Sequence, residues 1–313
     1  MMRPFANPRD GGGATRGGFM LEYGTGRLSG DSRKAMFTHE MVHHFIGSLA
    51  GDSGQNAWFG EGLAEFYKIR APYRAGLLGI DGVLHEINVM TDAYYTNAFV
   101  ATPIVEAGRL RWADRSIQTV PYNRGFMYFV DLNAKIVARS GGKRSLDDLV
   151  RAMLARRNSG LPYDEASWRT LLLAELGPEG PADLDAMQAG RLITPPDNAF
   201  GSCFRRVKVD GTRRPILGFE ENTLLTEPFI VTELDENSAA ARAGLRNGDK
   251  IVSRTGVTER IAHSASNIRL DPIVELTVRR GDEMLDIRFS TEGPGIDYYR
   301  WLAKRKLENC DIP

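Results

Sequence analysis

The sequence predicts an α+β protein in which a mainly helical first part precedes a smaller, β-rich second part. The helical prediction rests on apolar residues that recur at helical spacing, such as Phe126, Phe129 and Val130. From about residue 203 the pattern changes to short apolar runs of the length of single strands. Prolines concentrate between residues 177 and 200, which indicates a linker between the two parts.

We therefore expect two domains, residues 1–200 and 201–313. A chain of 313 residues is long enough for two cores, and 42% hydrophobic with 26% charged residues is typical of soluble globular proteins. The 40 basic and 40 acidic residues cancel, which argues against nucleic acid or an anionic membrane as the main partner. No apolar run approaches the roughly 20 residues that a membrane-spanning helix needs.

The first elements are predicted from the positions of glycine, proline and helix-capping residues. Residues 1–17 are rich in Gly, Pro and Arg and are expected to be loop, and Gly18–Tyr23 has strand-like apolar content. A helix should start near Asp31, a good N-cap type, and stop near Gly51. After a polar loop, a second helix should run from Trp58 until Pro72.

The next elements are clear only in part. Residues 80–119 mix short helical and loop patterns without a dominant period. Pro121 suits the first turn of a helix that the glycines after Ser140 should end. Ser145 is predicted to cap a helix to about Ala155, and a further helix is expected from Asp164 to Leu176.

The second part should consist mainly of strands. They are expected at Phe229–Val231, Lys250–Ser253, Ile273–Arg279 and Met284–Phe289. Tyr298–Leu307 suits a short basic helix. Cys203 and Cys310 bracket this part but are too few for a disulfide framework, so we expect two unpaired thiols, with a disulfide between them as the alternative in an oxidising compartment.

The segment that carries chemistry is His39-Glu40-Met41-Val42-His43, followed eighteen residues later by Glu61 on the next predicted helix. Histidines at i and i+4 lie on one face of a helix and can reach one zinc ion. Glu61 is the natural third ligand, and Glu40 can serve as general base. The sequence thus predicts one Zn²⁺ per chain; the alternative is a solvated helix with two surface histidines.

Two neighbours of this motif are assigned by their position on the helices. Glu65 lies one turn beyond Glu61 on the same face, so it can orient a ligand histidine, unless it is simply a solvated carboxylate. His44 lies about 100° round the helix from His43 and is expected at the surface or in packing, not as a ligand.

The two-helix pattern HEMVH…WFGEGLAEFY resembles the gluzincin metallopeptidases, and within them the glycyl aminopeptidase family. The resemblance continues through residues 120–154, which are similar to that family's Tyr-x-Lys-Gly and Ser-Leu-Asp-Asp segments, with Arg124 in place of the lysine. It spans most of residues 3–293. It implies a thermolysin-like, mainly helical zinc peptidase domain followed by a PDZ-like domain.

The resemblance also implies roles for two further residues. Tyr122 matches the tyrosine that stabilises the oxyanion in related aminopeptidases; the alternative is a half-buried tyrosine at a helix start. Glu22 occupies the place, before the zinc helix, of a glutamate that binds the substrate's free amine, but the match is loose and a solvated strand carboxylate is the alternative.

The PDZ-like resemblance rests on two stretches. Leu217, Gly218 and Phe219 resemble the carboxylate-binding loop of PDZ domains, and residues 237–249 resemble their small helix and Gly-Leu-x-x-Gly-Asp segment. Little room remains between Val257 and Asp271 for the second helix that walls the peptide groove. The module is therefore expected either to bind peptides or to act in packing or gating without a ligand.

The function expected from the resemblance is a zinc aminopeptidase that removes small N-terminal residues from peptides. The alternatives are a zinc endopeptidase with PDZ-gated protein substrates and a non-catalytic peptide-binding protein. The family usually carries a β-rich domain before the catalytic one, so we expect either a piece of a longer protein or a naturally short one. The compartment would be periplasmic or extracellular if a longer chain carries a signal peptide, and cytoplasmic otherwise.

Overall fold

The computed structural model has the α+β architecture that the sequence predicts. A mainly helical N-terminal region is followed by small antiparallel sheets, so the predicted fold class is confirmed. The residues that the structure describes are 11–15, 18–22, 30–111, 115–225, 227–259, 268–304 and 310–312.

The elements follow one another in two blocks. Strands β1 (Gly11–Thr15) and β2 (Gly18–Glu22) come first. The helices of the first block are α1 (Gly30–Ile46), α2 (Ala57–Arg74), α3 (Ile80–Thr96), α4 (Ile104–Arg109), α5 (Arg115–Gln118), α6 (Val120–Ser140), α7 (Leu146–Asn158), α8 (Glu165–Leu176) and α9 (Glu179–Gln188). The second block contains β3 (Phe204–Lys208), β4 (Arg213–Pro215), the short helix α10 (Ala239–Arg242), β5 (Lys250–Glu259), β6 (Ile268–Arg280), β7 (Glu283–Ser290), β8 (Glu292–Gly295) and β9 (Tyr299–Ala303).

Helix α2 packs against α1 and α6, and its crossing with α6 is close enough to require glycine on both helices. A Cβ atom added to Gly62 would lie 2.6 Å from the Cα atom of Gly125. One added to Gly125 would collide with the carbonyl oxygen of Trp58. The two backbones therefore touch at this point, one residue after Glu61 in the sequence of α2.

Capping residues explain where several helices begin and end, as predicted. Helix α6 stops at Gly141, whose φ of 60° is a left-handed conformation that glycine adopts without strain. Helix α7 starts with a capping box in which the Ser145 and Asp148 side chains each accept a hydrogen bond from the other's backbone N–H. The Asp164 side chain accepts a hydrogen bond from the backbone N–H of Ser167 at the start of α8.

The structure corrects the predicted helices in three places. Helix α1 ends at Ile46, not near Gly51, because Gly47 adopts a φ of 68°. Helix α3 occupies the first half of the stretch in which no dominant pattern was recognised. Helix α9 lies within the predicted linker; Pro181 falls in its first turn, where the missing N–H has no intrahelical partner to lose.

Three predictions about strands and loops are also corrected. Residues 11–15, expected to be loop, form β1 and pair with β2. The run Phe229–Val231 makes a single bridge, between Ile230 and Lys250, instead of a strand. In place of the expected C-terminal helix, strand β9 runs antiparallel to β3, with Trp301 buried between exposed neighbours in the alternation typical of a strand.

The second block forms small antiparallel sheets. Strands β5, β6 and β7 form a three-stranded sheet, while β4 pairs with β8. The β5–β6 hairpin extends past β7, and Val257 pairs with Leu270 in this extension. The described residues between Val257 and Asp271, where little room was expected for a second PDZ-type helix, are strand.

Among the residues that the structure describes, two hydrophobic clusters make up the interior. The smaller one is confined to residues between Leu217 and Phe289. The larger joins the helices and also includes Phe204 of β3 and Trp301 of β9, both fully buried. On α3, the amide of Asn88 donates to the Trp301 carbonyl at 2.9 Å and accepts from the Trp301 N–H at 3.0 Å. The first and last strands of the second block thus pack with the helices.

Cys203 and Cys310 form a disulfide, so the expectation of two unpaired thiols is wrong. Their Cα atoms are 5.4 Å apart, within the range that a disulfide requires. The pairing of β3 with β9 brings the two ends of the second block together, which spacing in the sequence did not reveal. The hydroxyl of Tyr73, in the last turn of α2, donates to the Cys310 carbonyl at 2.7 Å.

None of the described helices is long and apolar enough to cross a membrane.

Candidate metal centre

Three potential metal ligands converge between α1 and α2. The Nε2 atoms of His39 and His43 lie 3.0 Å apart. The Oε2 atom of Glu61 lies 3.4 Å from Nε2 of His39 and 3.0 Å from Nε2 of His43. This His/His/Glu group could hold a metal ion.

The separations fit a single small cation. Ligands placed tetrahedrally at 2.0–2.1 Å from a zinc ion stand about 3.3 Å apart, and the three observed distances lie on both sides of that value. The His39 side chain is buried, whereas those of His43 and Glu61 are 21% and 22% exposed, so solvent reaches the group from one side.

The pKa values of these groups reflect their mutual contacts. Burial by itself lowers the pKa of His39, but the carboxylates of Glu65 and Glu61 outweigh burial and raise it to about 9. Burial raises the pKa of Glu61, but His39 and His43 outweigh it and lower that pKa to about 2. The surroundings of His39 therefore favour a positive charge at this position.

Behind His39 lies a buried chain of charged groups that crosses from α2 to α3. The Oε1 atom of Glu65 lies 3.0 Å from Nδ1 of His39. The ammonium of Lys68 lies 2.6 Å from Oε2 of Glu65 and 3.4 Å from Oε2 of Glu86. On the far side, the Ser32 hydroxyl donates to Oε1 of Glu86 at 3.0 Å.

Sequence reasoning included Glu65 in this chain but missed Lys68 and Glu86. The spacing of Lys68 three residues after Glu65 was a usable signal, because residues at i and i+3 are neighbours on a helix. Glu86 offered none, since it lies on α3, in the stretch where no helix had been recognised.

The candidate general base, Glu40, lies on α1 between the two histidines and is 2% exposed. It does not belong to the His/His/Glu group. Helix α1 therefore carries a buried carboxylate beside His39 and His43 that is not itself a potential metal ligand.

The half-buried Tyr122 lies on the first turn of α6 and stacks on His39, one of the potential ligands. Its ring is nearly parallel to that of His39, at an interplanar angle of 4° and a centroid distance of 6.2 Å. Helices α1 and α6 both pack on α2, so the close Gly62–Gly125 crossing helps to place the start of α6 near α1.

Arg124, which replaces the lysine of the resembling motif, is buried in the same helix turn. One of its Nη atoms lies 2.6 Å from the carbonyl oxygen of Val100 and 3.5 Å from that of Phe99. Burial lowers the pKa of Arg124 to about 10. Among the described residues no carboxylate is within ion-pairing distance, so Arg124 connects α6 to the segment after α3 through backbone carbonyls.

Two other predicted positions are Glu22 and His44. Glu22 ends β2 opposite Gly11, and the β1–β2 hairpin packs against α1, but the Glu22 side chain is outside the part of the chain that the structure describes. His44 is exposed, and its ring contacts Phe45 edge-on at 5.4 Å. Its surface position agrees with the prediction.

The predicted carboxylate-binding loop lines a different site. Leu217, Gly218 and Phe219 border a cavity of about 700 Å³ between the end of α3 and the second block. Phe99 lines the cavity from the helical side, and Leu270 of the long hairpin lines it from the other. The described lining includes none of the potential metal ligands.

Comparisons with known proteins show a distant similarity in fold. No protein-family model matches the sequence, and a search of curated proteins finds no match. Among solved structures, the chain is similar to the crystal structure of an aminopeptidase N family protein from Idiomarina loihiensis, with a TM-score of 0.61 at 13% sequence identity. The similarity covers 96% of this chain and 59% of that one. The chain thus shares its fold with a little over half of an aminopeptidase N family protein, and it carries a possible metal site.

Proposed function

We propose that the chain is a zinc-dependent aminopeptidase that removes small N-terminal residues, glycine or alanine, from peptides. The observation that carries the proposal is the triangle of His39, His43 and Glu61, with edges of 3.0–3.4 Å. One zinc ion per chain would be held by these residues. The aminopeptidase N-like fold supports peptide substrates, and the preference for small residues rests on the motif resemblance to glycyl aminopeptidases.

The protein groups around the triangle have distinct tasks in this proposal. When bound, zinc would supply Lewis-acid chemistry that makes water a nucleophile near neutral pH. Glu40 accepts the proton of that water and returns it to the leaving amine. The Tyr122 hydroxyl donates a hydrogen bond to the oxyanion that develops from the scissile carbonyl. Glu65 fixes the orientation of His39.

Selection for a free N-terminus needs a group that binds the substrate ammonium. We propose Glu22 for this task, because a carboxylate is the simplest partner for an ammonium and β2 packs beside α1. The Glu22→Gln variant should then cleave peptides with free N-termini less well and leave any cleavage of acetylated peptides unchanged. An equal effect on both substrates would exclude this role.

The cavity beside Gly218 favours a second candidate, an endopeptidase that recruits protein substrates through the second block. The cavity lies apart from the metal group, and the loop Leu217–Phe219 lines it. A segment bound there would tether a long substrate at a distance from the scissile bond. This candidate needs no free N-terminus at the metal centre.

Zinc content together with a matched substrate panel tests the proposal. We expect about one zinc per chain and hydrolysis of peptides that begin with glycine or alanine. Acetylation of the same peptides should abolish cleavage. Equal cleavage of acetylated and free peptides would favour the endopeptidase. A protein that neither binds zinc nor hydrolyses any peptide would favour a non-catalytic peptide-binding role.

A further inference from the structure

We propose that Lys68 is a positioning residue of the metal centre and acts on His39 through Glu65. The inference rests on the metal site of the proposed function, but not on the identity of its substrate. It goes beyond that function because Lys68 touches none of the three potential ligands and carries no role in the resemblance.

The first step of the argument is the division of the Glu65 carboxylate between two partners. Its Oε1 atom faces Nδ1 of His39 at 3.0 Å, and its Oε2 atom faces the ammonium of Lys68 at 2.6 Å. The Glu65 side chain has no solvent exposure, and those of His39 and Lys68 are 2% and 3% exposed. With one oxygen held by each partner, the carboxylate cannot rotate without breaking a contact.

The second step is that Lys68 is itself fixed from the opposite side. Its ammonium lies 3.4 Å from Oε2 of Glu86, and the sulfur of Met90 is 3.6 Å away. Glu86 in turn accepts the hydrogen bond from Ser32 on α1. The contacts thus run from α1 through α2 to α3 and return to α1, so the position of Lys68 depends on the packing of three helices.

The third step concerns the energy of leaving Glu65 with one partner. Breaking a buried ion pair by removing one member is strongly unfavourable, because it leaves an uncompensated charge in the interior. Without the ammonium, no positive charge would stand between the carboxylates of Glu65 and Glu86. Glu65 would relieve that repulsion by turning away or losing its charge, and either change weakens its hold on Nδ1 of His39. Nε2, which faces His43 and Glu61, would then lose its fixed direction.

A double-mutant cycle on zinc binding tests this inference with a readout that does not need activity. Lys68→Met should raise the zinc Kd by about tenfold or more, as disruption of groups behind a metal ligand does. In the Glu65→Gln background, the same change should alter the Kd less than twofold, because the residue through which Lys68 acts has already been disabled. The Kd is measured by competition with a chelator, and the visible spectrum of the Co²⁺-substituted protein reports the ligand geometry.

Lys135→Met is the matched control. Lys135 lies on α6 and bridges Asp131, Asp183 and Glu179, so its loss also breaks a network of acidic partners. It should leave the zinc Kd and the Co²⁺ spectrum unchanged. If Lys68→Met does not fold, Lys68→Met/Glu86→Gln removes the ammonium together with its second carboxylate. A rise in the zinc Kd is still expected from this variant, because Oε2 of Glu65 has lost the ammonium that held it.

An unchanged or lower Kd in the folded Lys68 variant would overturn the inference, and so would an equal rise in both backgrounds. If the native protein binds no zinc, the proposed function fails as well. If it binds zinc but cleaves no peptide, the proposed function fails alone, and the Lys68 cycle still decides the inference.

Discussion

Glu40 lies on α1 with His39 and His43, but it is not one of the three potential metal ligands. Replacing it by Gln keeps its size and removes its ability to accept a proton. We therefore expect Glu40→Gln to bind zinc normally and to lose about 10²–10⁴-fold in kcat, the usual contribution of general acid–base catalysis. Zinc content and steady-state kinetics measure the two effects. As a control, Glu106→Gln, an exposed change on α4, should alter neither the zinc content nor kcat. Near-native turnover in the zinc-loaded Glu40 variant would remove Glu40 from the mechanism.

Tyr122 should act only when charge develops on the substrate oxygen. Tyr122→Phe is therefore expected to lower kcat by about 10²–10³-fold, the loss seen for other oxyanion donors, and to leave KM nearly unchanged. Tyr73→Phe serves as the control, because it also removes a tyrosine hydroxyl from the helical region but one that bonds the Cys310 carbonyl. A change confined to KM would make Tyr122 a substrate-binding residue.

The raised pKa of His39 predicts opposite effects of pH on two measurable quantities. The metal-free folded protein keeps a proton on His39 up to about pH 9, whereas the unfolded chain loses it near pH 6.5. Stability from this group is complete below pH 6.5 and is lost as pH rises through 9. Zinc must displace the same proton, so its affinity should increase over that range, by at most about tenfold per pH unit.

Thermal unfolding of the metal-free protein and zinc titrations between pH 6.5 and 9 test this pair of trends. The Tm without zinc should fall while the zinc-induced rise in Tm grows. His44→Asn, an exposed change on the same helix, should show the native behaviour. A zinc affinity that stays flat or falls with pH would contradict the assignment of His39 as a ligand.

At the level of single residues, what could be predicted depended on the range of the contact. His39, Glu40 and His43 follow from the period of one helix, and Glu65 follows from the period of the next. Tyr122 lies far away in sequence and was assigned through a motif resemblance. Lys68 and Glu86 form a tertiary contact between two helices, and no local period encodes it.

Among the elements, the crossing of α2 and α6 is the contact that brings Tyr122 to His39. Gly125→Ala would place a methyl group against the Trp58 carbonyl and Gly62. Overpacking of this kind typically costs about 1–3 kcal/mol, and the backbones must separate to accommodate it. We expect a lower free energy of unfolding and, in the folded fraction, a reduced kcat because Tyr122 moves away from the metal centre.

Urea unfolding and single-turnover kinetics distinguish these two effects of Gly125→Ala. Gly79→Ala is the control, since an added Cβ there meets no atom within 4 Å and its φ of −79° suits any residue. Native stability and native kcat in the Gly125 variant would show that the crossing can relax without moving Tyr122.

Elements with strong local signals were predicted well, and those set by tertiary packing were not. Caps at Ser145 and Asp164 located α7 and α8 within a few residues. The basic C-terminal segment has helix-compatible composition, but Trp301 pairs into β9 because the helices bury its ring and Asn88 bonds its backbone. Tertiary burial overrides local propensity in such segments.

At the scale of the whole molecule, the two hydrophobic clusters suggest which part of the second block could be removed. Phe204 and Trp301 are fully buried in the larger cluster, which joins the helices. The side-chain amide of Asn88 also makes hydrogen bonds to the backbone carbonyl and N–H of Trp301. A chain truncated before Cys203 would lose these contacts and the disulfide together. We therefore propose that the separable unit lies between β4 and β8.

Excision of residues 217–290 tests that proposal, because β4 and β8 already lie side by side. Pro215 pairs with Glu292, and the Ile216 N–H donates to the Thr291 carbonyl at 2.8 Å, so an Asn-Gly turn can join the two strands. The excised protein should bind zinc with native affinity and cleave short peptides, since it retains the potential ligands, Tyr122, β3, β9 and the disulfide.

Truncation before Cys203 should instead lower the Tm sharply and weaken zinc binding, because it opens the larger cluster around Trp301. If the excised protein folds but cannot hold zinc, residues 217–290 are needed for the metal site. If the truncated chain holds zinc as well as the native one, the packing of β3 and β9 against the helices is not needed for that site.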